Sequence, residues 1–260
     1  MDDKSDLAKL FDLSGQRALI SGGGTGIGRQ TALTFAAYGA EVVLAARRRE
    51  KLEATVAELK ASGAKASCVS MDITNAQSVA NGLKEATLDG PITLLVNSAG
   101  VSSKTFLLDT PEEEWDQVLG TNLKGGWMLC QAVARQMIEA GVGGSIINIA
   151  SILGIGSQKG AGPYMASKAG LLHLTRNMAQ EWARYGIRAN TVAPGYFMTD
   201  ISEPYLKTKT GQAMLKKIPL RRLGNLPDLS GTMLLLASKA GAYMTGGVIV
   251  VDGGHSITQL

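Results

Sequence analysis

Tyr164 and Lys168 stand four residues apart in "YMASK", inside a stretch that reads as a helix over 162–185. That spacing puts both side chains on one helical face, about one turn apart. The pair suits acid–base chemistry. A free phenol titrates at about 10, too high for a base near neutrality. An ammonium one turn away stabilises the phenolate and moves it toward the working range. Tyr-x-x-x-Lys is common on its own, but here it has company. Ser151 closes the apolar run "SIINIA" thirteen residues before Tyr164, and Asn122 lies in "TNLKG" within a helix expected over 111–140. "NSAG" (97–100) and "PGYFMT" (194–199) follow two further apolar runs.

A second chemical feature lies near the start. "SGGGTGIG" (21–28) puts five glycines into eight positions between the apolar stretch "RALI" and a helix-like segment. Glycines there allow positive φ and keep side-chain atoms out of the way of a pyrophosphate. The helix opening near Gly26 offers N–H groups and its positive dipole end to an anion. The common G-x-G-x-x-G fingerprint is not met in any register; Gly22, Gly26 and Gly28 spell G-x-x-x-G-x-G instead.

These residues need a scaffold, and the alternation of segments supplies one. Strands are expected at 17–21, 41–46, 66–71, 93–97, 145–150, 187–193 and 247–251, several almost continuously apolar, as when helices cover both faces of a parallel sheet. Helices are expected near 26–39, 48–61, 75–88, 111–140, 162–185 and 227–238. "TPEE" at 110–113 predicts a capping box, with Thr110 as cap and Glu113 closing it. Strict strand–helix alternation implies an α/β, Rossmann-type doubly wound fold with a seven-stranded parallel sheet. Such folds bind ligands at the carboxyl ends of their strands, where the chosen residues fall.

Composition narrows the class. The 260 residues contain no linker-like stretch or repeat, which predicts one domain over 1–260. The charged N-terminus "MDDKSDLAKLFDLSG" does not read as a signal peptide, and no apolar run reaches membrane-span length. Two distant cysteines, Cys68 and Cys130, predict a cytoplasmic chain without a disulfide framework. The net charge of +4 comes with no nucleic-acid-binding module, so no nucleic-acid or membrane partner is expected. No metal site is expected either, and His173 and His255 read as structural or surface residues. A hydrolase would want G-x-S-x-G, which is not found.

In this order "SGGGTGIG", "MDIT" (71–74), "NSAG", Asn122, Ser151, "YMASK", "PGYFMT" and "VDGG" (251–254) resemble the short-chain dehydrogenase/reductase family over nearly the whole chain. Ser21 stands where threonine is usual, and Ser98 replaces the second Asn of Asn-Asn-Ala-Gly, losing an amide that would bond within the sheet. The resemblance implies hydride transfer between a ketone and a secondary alcohol. Tyr164 would supply the proton, Ser151 would hold the substrate oxygen, Lys168 would also hold the nicotinamide ribose, and Asn122 would hold a water in a proton relay. Cofactor contacts are implied at Gly22, Gly24, Thr25, Gly26, Ile27 and Gly28, at Arg47 and Arg48, and at Asp72 and Ile73. Further contacts are implied at Asn97, Ala99 and Gly100, at Tyr164 and Lys168, and at Pro194, Gly195, Phe197 and Thr199.

Other expectations follow from the same resemblance. Members that use NAD place an acidic residue at the end of the second strand. Here Ala46 is followed by Arg47 and Arg48, which predicts NADP(H), with NAD(H) as the alternative. A lid is implied over 196–219, carrying Phe197, Met198, Tyr205, Leu206 and Met214, with 152–163 as a second wall. Gluconate 5-dehydrogenase-like and 3-oxoacyl-carrier-protein reductase-like subgroups look nearest. The former predicts a small ketone, keto-sugar or polyol; for the latter, "IEAGVGG" lacks a basic residue that helps dock the carrier. A non-catalytic dinucleotide sensor is the alternative from another class. A homotetramer or homodimer is implied through the helices at 111–140 and 162–185, where Trp127, Leu171, Leu174 and Trp182 are interface or core.

Overall fold

The structure, a computed structural model, describes residues 4–103, 105–199 and 202–258. The seven strands are β1 (Arg17–Ser21), β2 (Glu41–Ala46), β3 (Ala66–Ser70), β4 (Leu94–Asn97), β5 (Gly144–Ile149), β6 (Ile187–Pro194) and β7 (Val248–Val251). They form one sheet in the order β3-β2-β1-β4-β5-β6-β7. Every neighbouring pair is parallel. The order reverses between β1 and β4, the switch point at which doubly wound sheets leave a crevice.

Ten helices surround the sheet among the described residues. α1 (Lys4–Lys9), α2 (Gly26–Ala37), α3 (Arg49–Ala61) and α4 (Ala76–Ala86) precede β4. α5 (Glu112–Leu119), α6 (Gly126–Glu139) and α7 (Gly162–Trp182) flank β5, and α8 (Glu203–Leu206), α9 (Lys209–Leu215) and α10 (Ser230–Ala237) follow β6. Successive strand residues point to opposite faces. Ala18, Ile20, Val42, Leu44 and Val96 therefore join one core layer with Phe35, Leu52, Leu59 and Met233. Leu19, Val43, Leu95 and Ile146 join the other, with Leu83, Leu129, Met137 and Met178. Burial on both faces is why the strands read as unbroken apolar runs.

The expected helix over 111–140 is three pieces. A π turn, Gly120–Gly125, separates α5 from α6. Close packing accompanies it: a Cβ on Gly125 would lie 2.9 Å from the Ile73 carbonyl oxygen, and one on Gly126 would lie 2.6 Å from Asn97 Nδ2. The capping box at 110–113 does not form. Pro111 is the cap residue, in an extended conformation, and Thr110 Oγ1 donates to the Phe106 carbonyl instead. Glu112, Glu113 and Glu114 still fill the first turn of α5, where negative charge is favoured. The segment expected as a helix over 227–238 begins with a 3₁₀ turn, Leu226–Leu229, before α10.

Beyond β6, the stretch expected as a lid carries the short helices α8 and α9. Leu206, Met214 and Ile218 form a small apolar cluster of their own, with Tyr196 packed against it. Met198 is exposed. The side chain of Tyr205, also named for the lid, lies outside the described residues. No described helix is long and apolar enough to cross a membrane.

Candidate active site

The glycine loop turns from β1 into α2 with its backbone pressed against other backbone. Gly22 has φ of +69°, and a Cβ there would lie 3.1 Å from the Ala99 amide nitrogen. A Cβ on Gly28 would overlap the Gly22 carbonyl oxygen. Gly26 has φ of +53° and faces Thr199, 3.4 Å from where its Cβ would be, while Gly24 lies against Lys51. Thr25 caps α2 in an extended conformation without a side-chain hydrogen bond to the first turn. Ile27 turns inward and packs on the core. Glycines thus line a cradle that side chains would fill, at a twelve-residue helix whose amino end no side chain caps. That arrangement fits a dinucleotide pyrophosphate.

The residues expected to meet the adenosine end follow β2 and β3. Arg47 and Arg48 are exposed, and neither forms an ion pair with a described residue. Their neighbours are committed: Arg49 Nε donates to Glu53 at 2.8 Å, and Arg29 pairs with Glu58. The Asp72 carboxylate accepts from the Thr74 amide at 2.9 Å and the Thr74 hydroxyl at 2.7 Å. Those bonds hold it below the usual carboxylate range, and the nearby charge of Arg47 adds to them. Ile73 is buried beside Gly125.

At the ends of β4 and β6 the implied contacts divide. Asn97 Nδ2 donates to Asn148 Oδ1 at 2.9 Å, and its Oδ1 accepts from Ser21 Oγ at 3.3 Å. Its side chain therefore ties strands together. Ser21 Oγ also accepts from the amides of Ser98 and Ala99, at 3.1 and 3.2 Å. The hydroxyl at position 21 secures this turn even though Ser98 lacks an amide. Pro194 ends β6, and Gly195 lets Asp252 of "VDGG" approach, 2.7 Å from where a Cβ would be. Thr199 is fastened to Ser202 by its amide, 3.1 Å from Ser202 Oγ. The ring of Phe197 is in the core and fills the space beside Gly224.

The four expected catalytic residues come from three different elements and converge. Lys168 Nζ lies 5.6 Å from the centre of the Tyr164 ring. Lys168 is buried, donates to the Ile149 carbonyl at 2.9 Å, and is brought down to about 8 by desolvation. Gly100 makes room for it: a Cβ there would lie 3.6 Å from Nζ and 3.1 Å from Asn122 Oδ1. Tyr164 behaves differently from the simple two-charge picture. Burial of the phenol raises it above its ordinary value, and the Ser151 hydroxyl pulls it partly back. A buried phenol that keeps its proton is a proton donor, the form that reduction of a carbonyl consumes. Ser151 lies two residues past β5 and caps a 3₁₀ turn, its Oγ accepting from the Leu153 amide at 3.1 Å.

Asn122 sits in the π turn with both ends of its side-chain amide tied into the framework. Oδ1 accepts from the Val101 amide at 2.8 Å; Nδ2 donates to the Val101 carbonyl at 2.8 Å and to Ser167 Oγ at 3.1 Å. Both amide hydrogens are thus spent on the framework, while Oδ1, with one donor from Val101, keeps a second acceptor position. Ser167 in turn donates to the Tyr164 carbonyl at 2.7 Å. Ser103 Oγ accepts from the Tyr164 amide at 2.9 Å. Sequence reading had missed Ser103 and Ser167; the only signal was a run of small hydroxyls in "VSS" and "MASK". His173 is exposed, and His255 is buried with its ring 5.7 Å from that of Tyr196. Among the described residues, no group of three His, Cys, Asp or Glu is placed to hold a metal ion.

Comparisons with known proteins agree on one family. A family profile described as "Enoyl-(Acyl carrier protein) reductase" matches residues 22–256. The chain is similar to gluconate 5-dehydrogenase from Gluconobacter oxydans, 38% identical over 251 residues that span 96% of this chain and 98% of that protein. It is equally similar, at 38% over 239 residues, to 3-oxoacyl-[acyl-carrier-protein] reductase FabG from Staphylococcus epidermidis, covering 91% of this chain and 97% of the relative. Among solved structures it resembles a gluconate 5-dehydrogenase from Burkholderia cenocepacia in complex with NADP and tartrate. The TM-score is 0.92 and the identity 34%, over 97% of this chain and 99% of that one.

Proposed function

Because the chain belongs to the short-chain dehydrogenase/reductase family of oxidoreductases, we propose that it interconverts a ketone and a secondary alcohol with NADP(H), on a small ketone, keto-sugar or polyol. The observation that carries this reading is the convergence of Tyr164, Lys168 and Ser151 beside Gly100. When bound, the nicotinamide supplies or takes the hydride. The chain's own groups do the rest. Ser151 holds the carbonyl oxygen and stabilises the charge that develops on it. Tyr164 gives its phenolic proton to that oxygen in reduction and recovers it in oxidation. Lys168, the cation nearest the ring, favours the phenolate left behind and binds ribose hydroxyls.

The glycine loop would hold the pyrophosphate through Gly22, Gly24, Thr25, Gly26 and Gly28, with Thr199 closing over it. Arg47 and Arg48 would receive the 2′-phosphate. NADP stands in the Burkholderia structure, which supports that preference. The small-substrate reading is supported by the gluconate relatives. Reduction of acyl groups on a carrier protein is the second reading, favoured by the Staphylococcus relative; the absence of a basic residue in "IEAGVGG" ranks it second. A non-catalytic sensor has less support, since every acid–base group is present.

We propose assembly as a homotetramer or homodimer through α6 and α7. There Trp127 is exposed beside a shallow pocket of about 210 Å³ that Ile138, Leu174 and Trp182 also line, while Leu171 belongs to the core. The free thiols of Cys68 and Cys130 suit a reducing, cytoplasmic setting.

The test is oxidation of NADPH and NADH, followed by loss of reduced-nicotinamide absorbance, across ketones, keto-sugars and acetoacetyl-carrier protein. Turnover of at least one free ketone is expected, with kcat/KM above that of the carrier substrate. A clear preference for the carrier reverses the order of the two readings, and no turnover of any carbonyl overturns both.

A further inference from the structure

Two loops leave the carboxyl edge of the sheet beside the reacting groups. One follows β5 and runs through Ser151 to Tyr164. The other follows β6 and begins Pro194–Gly195–Tyr196. A polar bridge joins them, in which the Tyr196 hydroxyl donates to Gln158 Oε1. Both partners are anchored. The Gln158 amide donates to Met165 Sδ at 3.4 Å, next in sequence to Tyr164. The Tyr196 ring packs on the lid cluster of Leu206, Met214 and Ile218, and stands 5.7 Å from the ring of buried His255. Asp252 positions that histidine's loop by accepting from the Gly254 and Ser256 amides. The bridge therefore spans the two walls between which a substrate must enter. Gln158 Nε2 has no hydrogen-bond partner among the described residues.

The chemistry of the bridge selects what can take its place. A carboxamide and a phenol each donate and accept. A ligand hydroxyl between them exchanges one neutral hydrogen bond for others of the same kind. A methyl group in that place separates the two groups and returns neither a donor nor an acceptor for the bond it breaks, which is where such sites discriminate most. We infer that Gln158 and Tyr196 form a specificity-determining strap that reads a hydroxyl on the carbon next to the reacting carbonyl, so that hydroxyketones are preferred over plain ketones of equal size. This rests on the oxidoreductase reading above and names the substrate class for it.

Hydroxyacetone and butanone have the same number of heavy atoms and differ by a hydroxyl against a methyl. The experiment measures kcat/KM for both, on the full-length enzyme and on Gln158→Leu and Tyr196→Phe. Each variant should lower the hydroxyacetone-to-butanone ratio by about two- to tenfold, the size of one neutral hydrogen bond. The loss should fall mainly on KM for hydroxyacetone, with butanone unchanged or improved. The double variant should lose little more than either single one, because the two side chains act as one bridge. An unchanged ratio in both single variants overturns the strap. So does an equal fall for both ketones, which marks a bridge that only holds the loops together. If wild type turns over neither ketone, the oxidoreductase reading fails for this pair. The strap is then decided by calorimetric Kd values for the same two molecules, an unchanged ratio in the variants again overturning it.

Discussion

At residues 21–28 the chain holds ligand space open by pressing backbone on backbone; at 151–168 it does so by burying groups that titrate. The first region contains no ionisable side chain before Arg29. Its tolerances are set by hard contacts, such as the 3.1 Å between a hypothetical Gly22 Cβ and the Ala99 amide. The second region keeps a lysine and a phenol away from water and shifts both. Backbone dipoles need no desolvated charge, so the glycine loop adds no pH dependence, but Gly22 and Gly28 leave no room for an added atom. Buried side chains can be tuned by single substitutions, at a standing cost in stability. The two regions should therefore fail in different ways.

The largest effect is expected where the proton is held. Tyr164→Phe keeps the ring and removes the donor, and should lower kcat by about 10²–10⁴-fold. Cofactor affinity, read by nucleotide fluorescence on the same sample, should stay near wild type. A variant retaining more than about a tenth of the rate would remove Tyr164 from its role.

Lys168→Met separates function from stability. Burial lowers Lys168 from 10.5 to about 8. Between those values the unfolded chain keeps its proton and the folded chain does not. Stability is thus present above pH 10.5, lost as pH falls, and fully forfeited below about pH 8, a penalty of about 3 kcal/mol. The methionine variant escapes this, less whatever the unpaired Ile149 carbonyl costs. It should lose activity and nucleotide affinity, yet gain on the wild type in denaturant midpoint as pH is lowered from 10.5 to 7. Parallel pH–stability curves for the two proteins would show that the buried ammonium carries no such cost.

Gly28→Ala tests the other region. The added methyl overlaps the Gly22 carbonyl oxygen, so α2 must move off the loop, a strain of about 1–3 kcal/mol. Stability and nucleotide affinity should fall together, at every pH alike. Gly24→Ala is the control: its methyl meets Lys51 at 3.1–3.3 Å, and it should cost less. Equal effects at 24 and 28 would mean that the closeness of the contact does not set the cost.

Much of this was legible in the sequence, for physical reasons that differ by region. β1 and β2 were readable to the residue because burial on both faces demands unbroken apolar runs. Tyr164 and Lys168 were readable because helical spacing alone brings them together. What was not legible depends on contacts between distant residues. The π turn at 120–125 goes with Gly125 meeting Ile73 and Gly126 meeting Asn97, which no local pattern announces. Phe197 occupies a motif position, yet its ring is taken by the core. Asn122 keeps its place while Val101 and Ser167 consume its amide. Thr110 looked like a cap, but extended Pro111 holds the cap position instead.

Between the two regions in character lies the end of β2, where exposed side chains, not backbone, should choose the nucleotide. Ala46 puts no carboxylate at the end of β2, and Arg47 and Arg48 form no ion pair with a described residue while Arg29 and Arg49 are paired. A guanidinium offers a planar fork that matches phosphate. Because Arg47 is exposed, its hydrogen bond to a 2′-phosphate belongs at the low end of the charged range, about 1.5 kcal/mol, or roughly tenfold. Arg47→Ala should raise KM for NADPH by about that factor, leave NADH nearly unchanged, and flatten the salt dependence of NADPH binding. Ala46→Asp should move the preference toward NADH by placing a negative charge against the 2′-phosphate and an acceptor beside the free hydroxyls. Stability should not change in either variant, in contrast to Gly28→Ala. Equal kcat/KM for the two nucleotides in the wild type, unmoved by Arg47→Ala, would take the phosphate away from these arginines and leave discrimination to the glycine loop.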